Sequence, residues 1–528
     1  MLIIHNVSYV HPDKDVLFEH LNLNLCDNEK IALVGNNGSG KSTFLKIIAG
    51  LLPPAVGDIV SDSPPYYVPQ IFGQYNDLTI AQALRIDQKL RALKEIMEGK
   101  VNEENITLLD DDWNIEERSI EALYRWNLNE VALTQKLGTL SGGQKTKMFL
   151  AGIDIHRPRF VLLDEPSNHL DSAGRELLYN FILSASCSVL IVSHDRRLLN
   201  LMPQVCELSR KGIALYGGNY DFYLEQKRIE SAALNEDVKS TEKALRKARG
   251  KERETLERQQ RLDSRGKQKQ ENAGVARIMM NTLRNNAENS TAKMKNAHAE
   301  KIGGISDELR ELRAAMPDRD KMKFGFDSSF LHKGKVLFHA RQLNFSYGQE
   351  LLWSEGLTLE IMSGERIALK GSNGSGKTTL IKIILGQLTP QHGEVYRADN
   401  KVVYIDQDYS LIDNLLSVYE QAQRFNTSGL QEHEIKIRLH WFLFSKEDWE
   451  KPCSALSGGE KMRLMLCCLT ISDEAPDIIV LDEPTNNLDI QNTDILTTAI
   501  REYKGTLIVV SHDDYFLGQI GIDRQIKL

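Results

Sequence analysis

Short, unbroken apolar runs ending in a glycine or a carboxylate occur in the first part of the chain and recur in the last. IALVG (Ile31–Gly35) is echoed by IALKG (Ile367–Gly371), VLLDE (Val161–Glu165) by IVLDE (Ile479–Glu483), and LIVSHD (Leu190–Asp195) by IVVSHD (Ile508–Asp513). Runs of this length with no polar alternation predict strands buried on both faces, as in a covered parallel sheet. Between them lie segments of helical character such as FLKIIAG after Phe44 and LIKIILG after Leu380. Alternation of the two kinds predicts an α/β fold. The opening MLIIHNVSYV has no basic segment ahead of an apolar one, so it reads as a first strand rather than a signal peptide.

The echoes are one internal duplication. GNNGSGKST at Gly35 and GSNGSGKTT at Gly371 are 336 residues apart. YVPQ (Tyr67–Gln70) then matches YIDQ (Tyr404–Gln407), LSGGQ (Leu140–Gln144) matches LSGGE (Leu456–Glu460), and FVLLDEPSNHLD (Phe160–Asp171) matches IIVLDEPTNNLD (Ile478–Asp489), all in the same order. The expected division is residues 1–223, 224–330 and 331–528. The first copy holds about 21 more residues than the second between Gln70 and Ser141. This surplus, near residues 81–126, reads either as a length variation or as a short helical arm that meets a partner.

The middle segment has a different pattern. Leu234, Val238, Thr241, Leu245 and Ala248 step by four and three, as do Ile302, Ile305, Leu309, Leu312 and Met316. Two heptad seams flank a middle that contains Gly250, Gly266 and Gly274, which predicts an antiparallel helical hairpin. Some forty residues of helix would reach about 60 Å.

Charge sharpens this division. The chain carries a net −8, yet residues 224–323 hold 24 Lys+Arg against 17 Asp+Glu. An acidic body with one basic extension predicts a polyanion met at one place. The far end, residues 258–284, has seven basic residues (Arg258, Arg261, Arg265, Lys267, Lys269, Arg277 and Arg284), two acids and no aromatic. Contact with a phosphate backbone is favoured there over base stacking. The alternative is a solvated spacer. No apolar run reaches 18 residues, so no membrane span is expected. The six cysteines have no metal-ligand spacing and read as free thiols of a reducing cytosol.

The candidate chemistry lies at the strand ends. Gly35, Asn36, Asn37, Gly38, Ser39, Gly40, Lys41, Ser42 and Thr43 form a P-loop, and Gly371, Ser372, Asn373, Gly374, Ser375, Gly376, Lys377, Thr378 and Thr379 form another. In such loops backbone N–H groups curl around phosphates, the lysine reaches the β- and γ-phosphates, and Ser42 or Thr378 ligates Mg²⁺. Asp164 and Asp482 would hold Mg²⁺ directly or through water, while Glu165 and Glu483 stand where a carboxylate could polarise an attacking water.

The LSGGQ and LSGGE stretches, each opening a helix, resemble the signature of the ATP-binding cassette superfamily, over both copies. The resemblance implies ATP held between the P-loop of one cassette and the signature of the other. Lys41 would face Ser457, Gly458, Gly459 and Glu460, and Lys377 would face Ser141, Gly142, Gly143 and Gln144. It further implies that Gln70 and Gln407 sense Mg²⁺, that His194 and His512 are switch histidines, and that Asp171 and Asp489 lie at the seam. Tyr347 falls at the adenine-stacking position; the ungapped alignment puts His11 there in the first copy, with Tyr9 two residues earlier.

Two cassettes in one chain, a charged helical linker and the run YGGNYDFYLEQK (Tyr216–Lys227) resemble the ABC-F subfamily. That resemblance implies a cytoplasmic, monomeric ATPase whose cassettes pair within one chain. It would bind the tRNA exit site of ribosomes with ATP and point its linker at P-site tRNA and the peptidyl-transferase centre. Hydrolysis would release it, and its role would be that of a translation factor or of a protein protecting ribosomes from antibiotics. The end of the chain at Leu528 is expected to set it apart from members with a C-terminal DNA-binding extension. Competing readings are a tandem ATPase subunit of a membrane transporter and a DNA-associated ATPase.

Overall fold

The computed structural model describes residues 1–11, 16–209, 212–271, 277–315, 334–348, 350–372, 374–472, 475–486 and 488–528. In the two long helices its description of side chains covers 220–262, 264–265 and 292–313. The chain divides into two compact units, Met1–Asp221 with Lys321–Leu528, and Phe222–Asp320.

The first unit contains both copies of the repeat. In the first copy a six-stranded sheet runs in the order Tyr66–Val68, Phe160–Asp164, Ser188–Val192, Lys30–Val34, Gln204–Ser209, Gly212–Tyr216. Only the last strand is antiparallel to its neighbour. Phe160–Asp164 and Ser188–Val192 are buried at every residue, the outcome expected of runs such as FVLLD and SVLIV. A three-stranded antiparallel sheet of Val16–Leu25, Leu2–Val10 and Val56–Ser61 forms a second layer. Leu33, Phe44, Phe160 and Leu162 pack with Phe18 and Leu21 in one core.

The second copy repeats this plan. Its sheet is wholly parallel, in the order Val402–Ile405, Ile478–Asp482, Thr506–Val510, Arg366–Lys370, Arg524–Lys527. Its antiparallel layer is Leu357–Met362, Val336–Asn344, His392–Arg397. Parallel register brings the strand ends together: Asp164 lies beside Val192, and Asp482 beside Val510. The P-loops, the paired Asp–Glu carboxylates and the histidines all leave from those ends.

The surplus of the first copy is helical. Ile80–Ala83, Asp87–Met97, Glu103–Leu109 and Ile115–Arg125 stand where the second copy has Val418–Arg424 and Glu432–Trp441. The acidic stretch folds because Asn102 caps its first helix at the Asn105 N–H and Asp112 bridges Lys89 (3.2 Å) and Arg118 (2.7 Å).

The second unit is built from the helices Tyr220–Glu271, 52 residues, and Arg277–Ala315, 39 residues. At 1.5 Å per residue these are roughly 78 and 58 Å long. Burial follows the predicted seams: Val238, Thr241 and Leu309 are buried, and Leu234, Leu245, Ala248, Ile302, Ile305 and Leu312 are half-buried. Arg313 near the end of the second helix pairs with Glu242 of the first (2.6 Å), so the two run antiparallel. The first helix passes through both Gly250 and Gly266, because about 1 kcal/mol per glycine is small against the propensity of its Lys-, Arg- and Glu-rich surroundings. Gly274 and Met316 lie outside the described residues.

Leu309→Ala removes a side chain that is only 6% exposed and should cost about 2 kcal/mol of local stability. Amide exchange should speed up along Arg277–Ala315, while the sheets keep their protection.

Candidate functional site

Each P-loop lies between a buried strand and a helix. Gly40 and Gly376, just before the helices Lys41–Ile48 and Lys377–Ile384, adopt φ of 91° and 92°. A Cβ at Gly40 would come within 2.7 Å of Leu17, and one at Gly376 within 2.6 Å of Leu352. The positive φ strains any residue but glycine, and the close leucines add to that, so glycine fits the turn that leads into each helix N-terminus. Lys41 Nζ donates to the carbonyls of Gly35 (2.8 Å) and Asn36 (3.2 Å); Lys377 Nζ does the same with Gly371 (2.8 Å) and Ser372 (2.9 Å). Burial holds both ammonium groups below their usual range. The Oγ atoms of Ser39 and Ser375 are buried with no partner among the described residues. Asn373 lies outside the described residues.

The carboxylates repeat as closely. Ser42 Oγ donates to Asp164 (2.9 Å), and Tyr67 donates to the other oxygen of Asp164 (3.0 Å). Tyr404 donates to Asp482 (2.9 Å), where Thr378 also hydrogen-bonds. Burial raises Asp164 to about 6 and pushes Asp482 up, against those bonds. Sequence reasoning passed over Tyr67 and Tyr404, although both open the repeated YVPQ and YIDQ.

Glu165 and Glu483 have φ of 52° and 49°, a left-handed backbone that bulky residues rarely adopt. Each is anchored by its own N–H on the neighbouring strand, at Val192 O and Val510 O, both 2.8 Å. The N–H groups of His194 and His512 return to their carboxylates at 3.2 and 3.4 Å. His194 Nε2 stands 3.2 Å from Glu165 Oε1, and His512 Nε2 stands 3.5 Å from Glu483 Oε1. Burial raises both glutamates to about 7 and holds both histidines well below their usual range. At Glu483 the guanidinium of Arg175, from the other cassette, opposes the burial.

A cavity of about 300 Å³ opens at the first P-loop, lined among others by His11, Asn37, Lys41, Gln70, Glu165 and His194. All of its lining residues come from the first cassette. Gln70 is half-buried and Gln407 exposed. His11 meets Tyr9 edge-on at 5.6 Å. Tyr347 is 71% exposed, and its hydroxyl bonds Thr379 (3.0 Å). The signature turns are self-capped: Ser141 and Gln144 bond reciprocally, as do Ser457 and Glu460. Where the cassettes meet, Ser172 Oγ lies 3.1 Å from His512 Nδ1, Arg196 pairs with Asp494, and Arg196 stacks 4.1 Å over Tyr515. No motif spacing points to Ser172, Arg175 or Arg196, and the sequence reading missed all three.

Residues 18–168 and 354–486 match the family model described as ABC transporter. The chain is 31% identical over 532 residues to a putative ATP-binding protein, YdiF, of Bacillus subtilis, spanning 96% of this chain and 77% of that one. It is 28% identical over 532 residues to ABC transporter F family member 5 of Arabidopsis thaliana, spanning 95% and 71%. Among solved structures it is similar to archaeal ribosome recycling factor aABCE1, in complex with the ribosomal stalk protein aP1, with a TM-score of 0.61 at 21% identity over 99% and 87% of the chains. A doubly occurring P-loop cassette of this kind defines an ATP-hydrolysing module, and the chain belongs to the ATP-binding cassette family, within its F subfamily. Its cassettes bind ATP, and it is an ATPase.

Replacing both glutamates (Glu165→Gln with Glu483→Gln) should lower ATP turnover by about 100-fold or more while nucleotide binding persists, checked by phosphate release and by equilibrium binding. The same variant tests the raised carboxyl pKa values. A folded-state pKa above the unfolded one lends stability that is lost as pH rises through about 7. In magnesium-free buffer the parent should therefore lose thermal stability between pH 5 and 8 relative to the glutamine variant; parallel melting curves would refute the shift.

Proposed function

We propose that this chain is a ribosome-binding ATPase of ABC-F type. It binds at the tRNA exit site with ATP in both cassettes, places its helical hairpin toward P-site tRNA and the peptidyl-transferase centre, and leaves when ATP is hydrolysed. As a monomer, it acts either as a translation factor or as a protein protecting ribosomes from antibiotics. The cassettes are residues 1–223 and 331–528, and the linker is 224–330.

The observation that carries this reading is the long helical unit with an exposed basic stripe. Arg258, Arg261 and Arg265, three and four residues apart on one helix, are all exposed. Guanidinium groups on one face suit the phosphates of folded RNA. Lys267, Lys269, Arg277 and Arg284 continue the basic run in sequence; their side chains lie outside the described part of the helices. The similar archaeal protein aABCE1 is a ribosome recycling factor, which supports the same class of partner. No helix among the described residues is long and apolar enough to cross a membrane.

In each site Mg²⁺ would be held by Ser42 and Asp164, or by Thr378 and Asp482, with Gln70 and Gln407 nearby. The fit rests on the donors: a hydroxyl already bonded to a buried carboxylate offers hard oxygens. No group of three or more acidic, histidine or cysteine side chains forms a metal cage among the described residues, as suits an ion completed by substrate phosphates. The ion supplies charge neutralisation at the phosphates. Glu165 and Glu483 polarise water, and His194 and His512 orient each carboxylate.

The Glu165→Gln, Glu483→Gln protein should co-sediment with ribosomes when ATP is present; pelleting with membranes instead would sink the proposal. Neutralising Arg258, Arg261, Arg265, Lys267 and Lys269 together should weaken that association by about tenfold or more at 0.1 M salt while free ATPase activity stays within about twofold. Equal loss of both would make the hairpin a structural part of the ATPase.

A further inference from the structure

The contacts across the cassette seam are one-sided. Ser172, the residue after Asp171, places its hydroxyl 3.1 Å from Nδ1 of His512 in the other cassette. The corresponding residue of the second cassette, after Asp489, is Ile490, which has no hydroxyl to give. Correspondingly, Nδ1 of His194 is buried with no hydrogen-bond partner among the described residues. Arg175, one turn on, is matched by Thr493, and Arg196, which pairs with Asp494 and stacks on Tyr515, is matched by Asp514. The reciprocal clamp would join Asp514 to Glu176, two anions. Instead Asp514 pairs with Lys370 (2.7 Å) and Glu176 with Arg197, each within its own cassette.

We propose that Ser172 is a positioning residue acting across the seam on His512, and that it makes the Glu483 site the preorganised one of two unequal ATP sites. This rests on the assignment of the two ATP sites given above.

The chemistry follows from the imidazole. A neutral histidine has one N–H and one bare nitrogen, and the group bonded to one nitrogen selects the tautomer at the other. His512 Nε2 stands 3.5 Å from Glu483 Oε1, and both atoms are buried with no hydrogen-bond partner among the described residues, so the tautomer that would serve Glu483 carries its proton on Nε2 and closes that gap. That leaves Nδ1 bare, and a hydroxyl is the donor it needs. With Ser172 as the donor across that 3.1 Å contact, Nε2–H is the end of the ring left for Glu483. His194 Nε2 stands nearer its carboxylate, 3.2 Å from Glu165 Oε1, but nothing described donates to its Nδ1, so no group on that side selects its tautomer. The Arg196 contacts to Asp494 and Tyr515 tie the same pair of cassettes together, beside the helix that starts at Ser172. A duplicated chain can sustain such a difference; a symmetric dimer cannot.

Single-turnover hydrolysis of bound ATP tests this in the full chain. Glu165→Gln leaves the Glu483 site and should be the faster of the two single-glutamine proteins. In that background Ser172→Ala should lower the rate by about tenfold with KM within about twofold, and Ser172→Thr should restore it. In the Glu483→Gln background Ser172→Ala should change the rate by less than about twofold. Equal losses in both backgrounds, no loss in the first, or a Glu165→Gln protein slower than its Glu483→Gln counterpart would each overturn the proposal. The double-glutamine protein separates the two levels. If it hydrolyses ATP at the parent rate, the site assignment itself fails; if it is inactive while Ser172→Ala has no effect, only the positioning role fails.

Discussion

The two glutamates at the ends of the central strands are held in a backbone conformation that costs roughly 1–3 kcal/mol per residue for any side chain but glycine. They are held there twice over. Each glutamate N–H donates to the adjacent strand, and each carboxylate accepts from the N–H of the histidine on that strand. The strain can persist only because neighbouring parallel strands keep their ends level, which places the aspartate one residue earlier against the P-loop hydroxyl. Strand register, P-loop and histidine therefore form one assembly, and the burial that fixes them also raises the carboxyl groups toward neutrality.

Duplication within one chain changes what this assembly can become. Where a homodimer interface is isologous, each contact occurs twice. Here the seam contacts Ser172–His512 and Arg196–Asp494 join positions whose counterparts are Ile490, Asp514 and Glu176. Apolar or like-charged residues stand where the second set would form. The two copies agree wherever the chemistry of phosphate and water demands it and diverge where one cassette touches the other.

Much of this is legible in the sequence because it is local. A strand buried on both faces writes itself as FVLLD, and a phosphate-binding turn needs glycine where a Cβ would collide with Leu17 or Leu352. The α/β class, the paired cassettes and the ATPase activity follow from such runs. Tyr67 and Tyr404 could have been found the same way, since both recur just before the repeated glutamines. Ser172 and Arg196 could not: their partners lie some 300 residues away, and no periodicity encodes a pairing between domains. Gly250 and Gly266 lie in the stretch between the seams, and the first helix runs through both. Glycine reads as a break, but on an exposed helix its cost is spread over 52 residues and is easily carried.

The hairpin is governed by a different physical rule. Between the two helices, Val238, Thr241 and Leu309 are buried at heptad positions among the described residues, and Arg313 pairs with Glu242. Most described side chains of both helices are exposed, so packing does not dictate which charges they carry. Residues 224–323 carry a surplus of basic side chains while the rest of the chain is acidic, and the exposed Arg258, Arg261 and Arg265 follow one another three and four residues apart. Solubility alone asks for mixed signs, and the acidic cassettes already supply net charge. The exposed Arg258, Arg261 and Arg265, set within this basic surplus, are the feature that the proposed anionic partner accounts for.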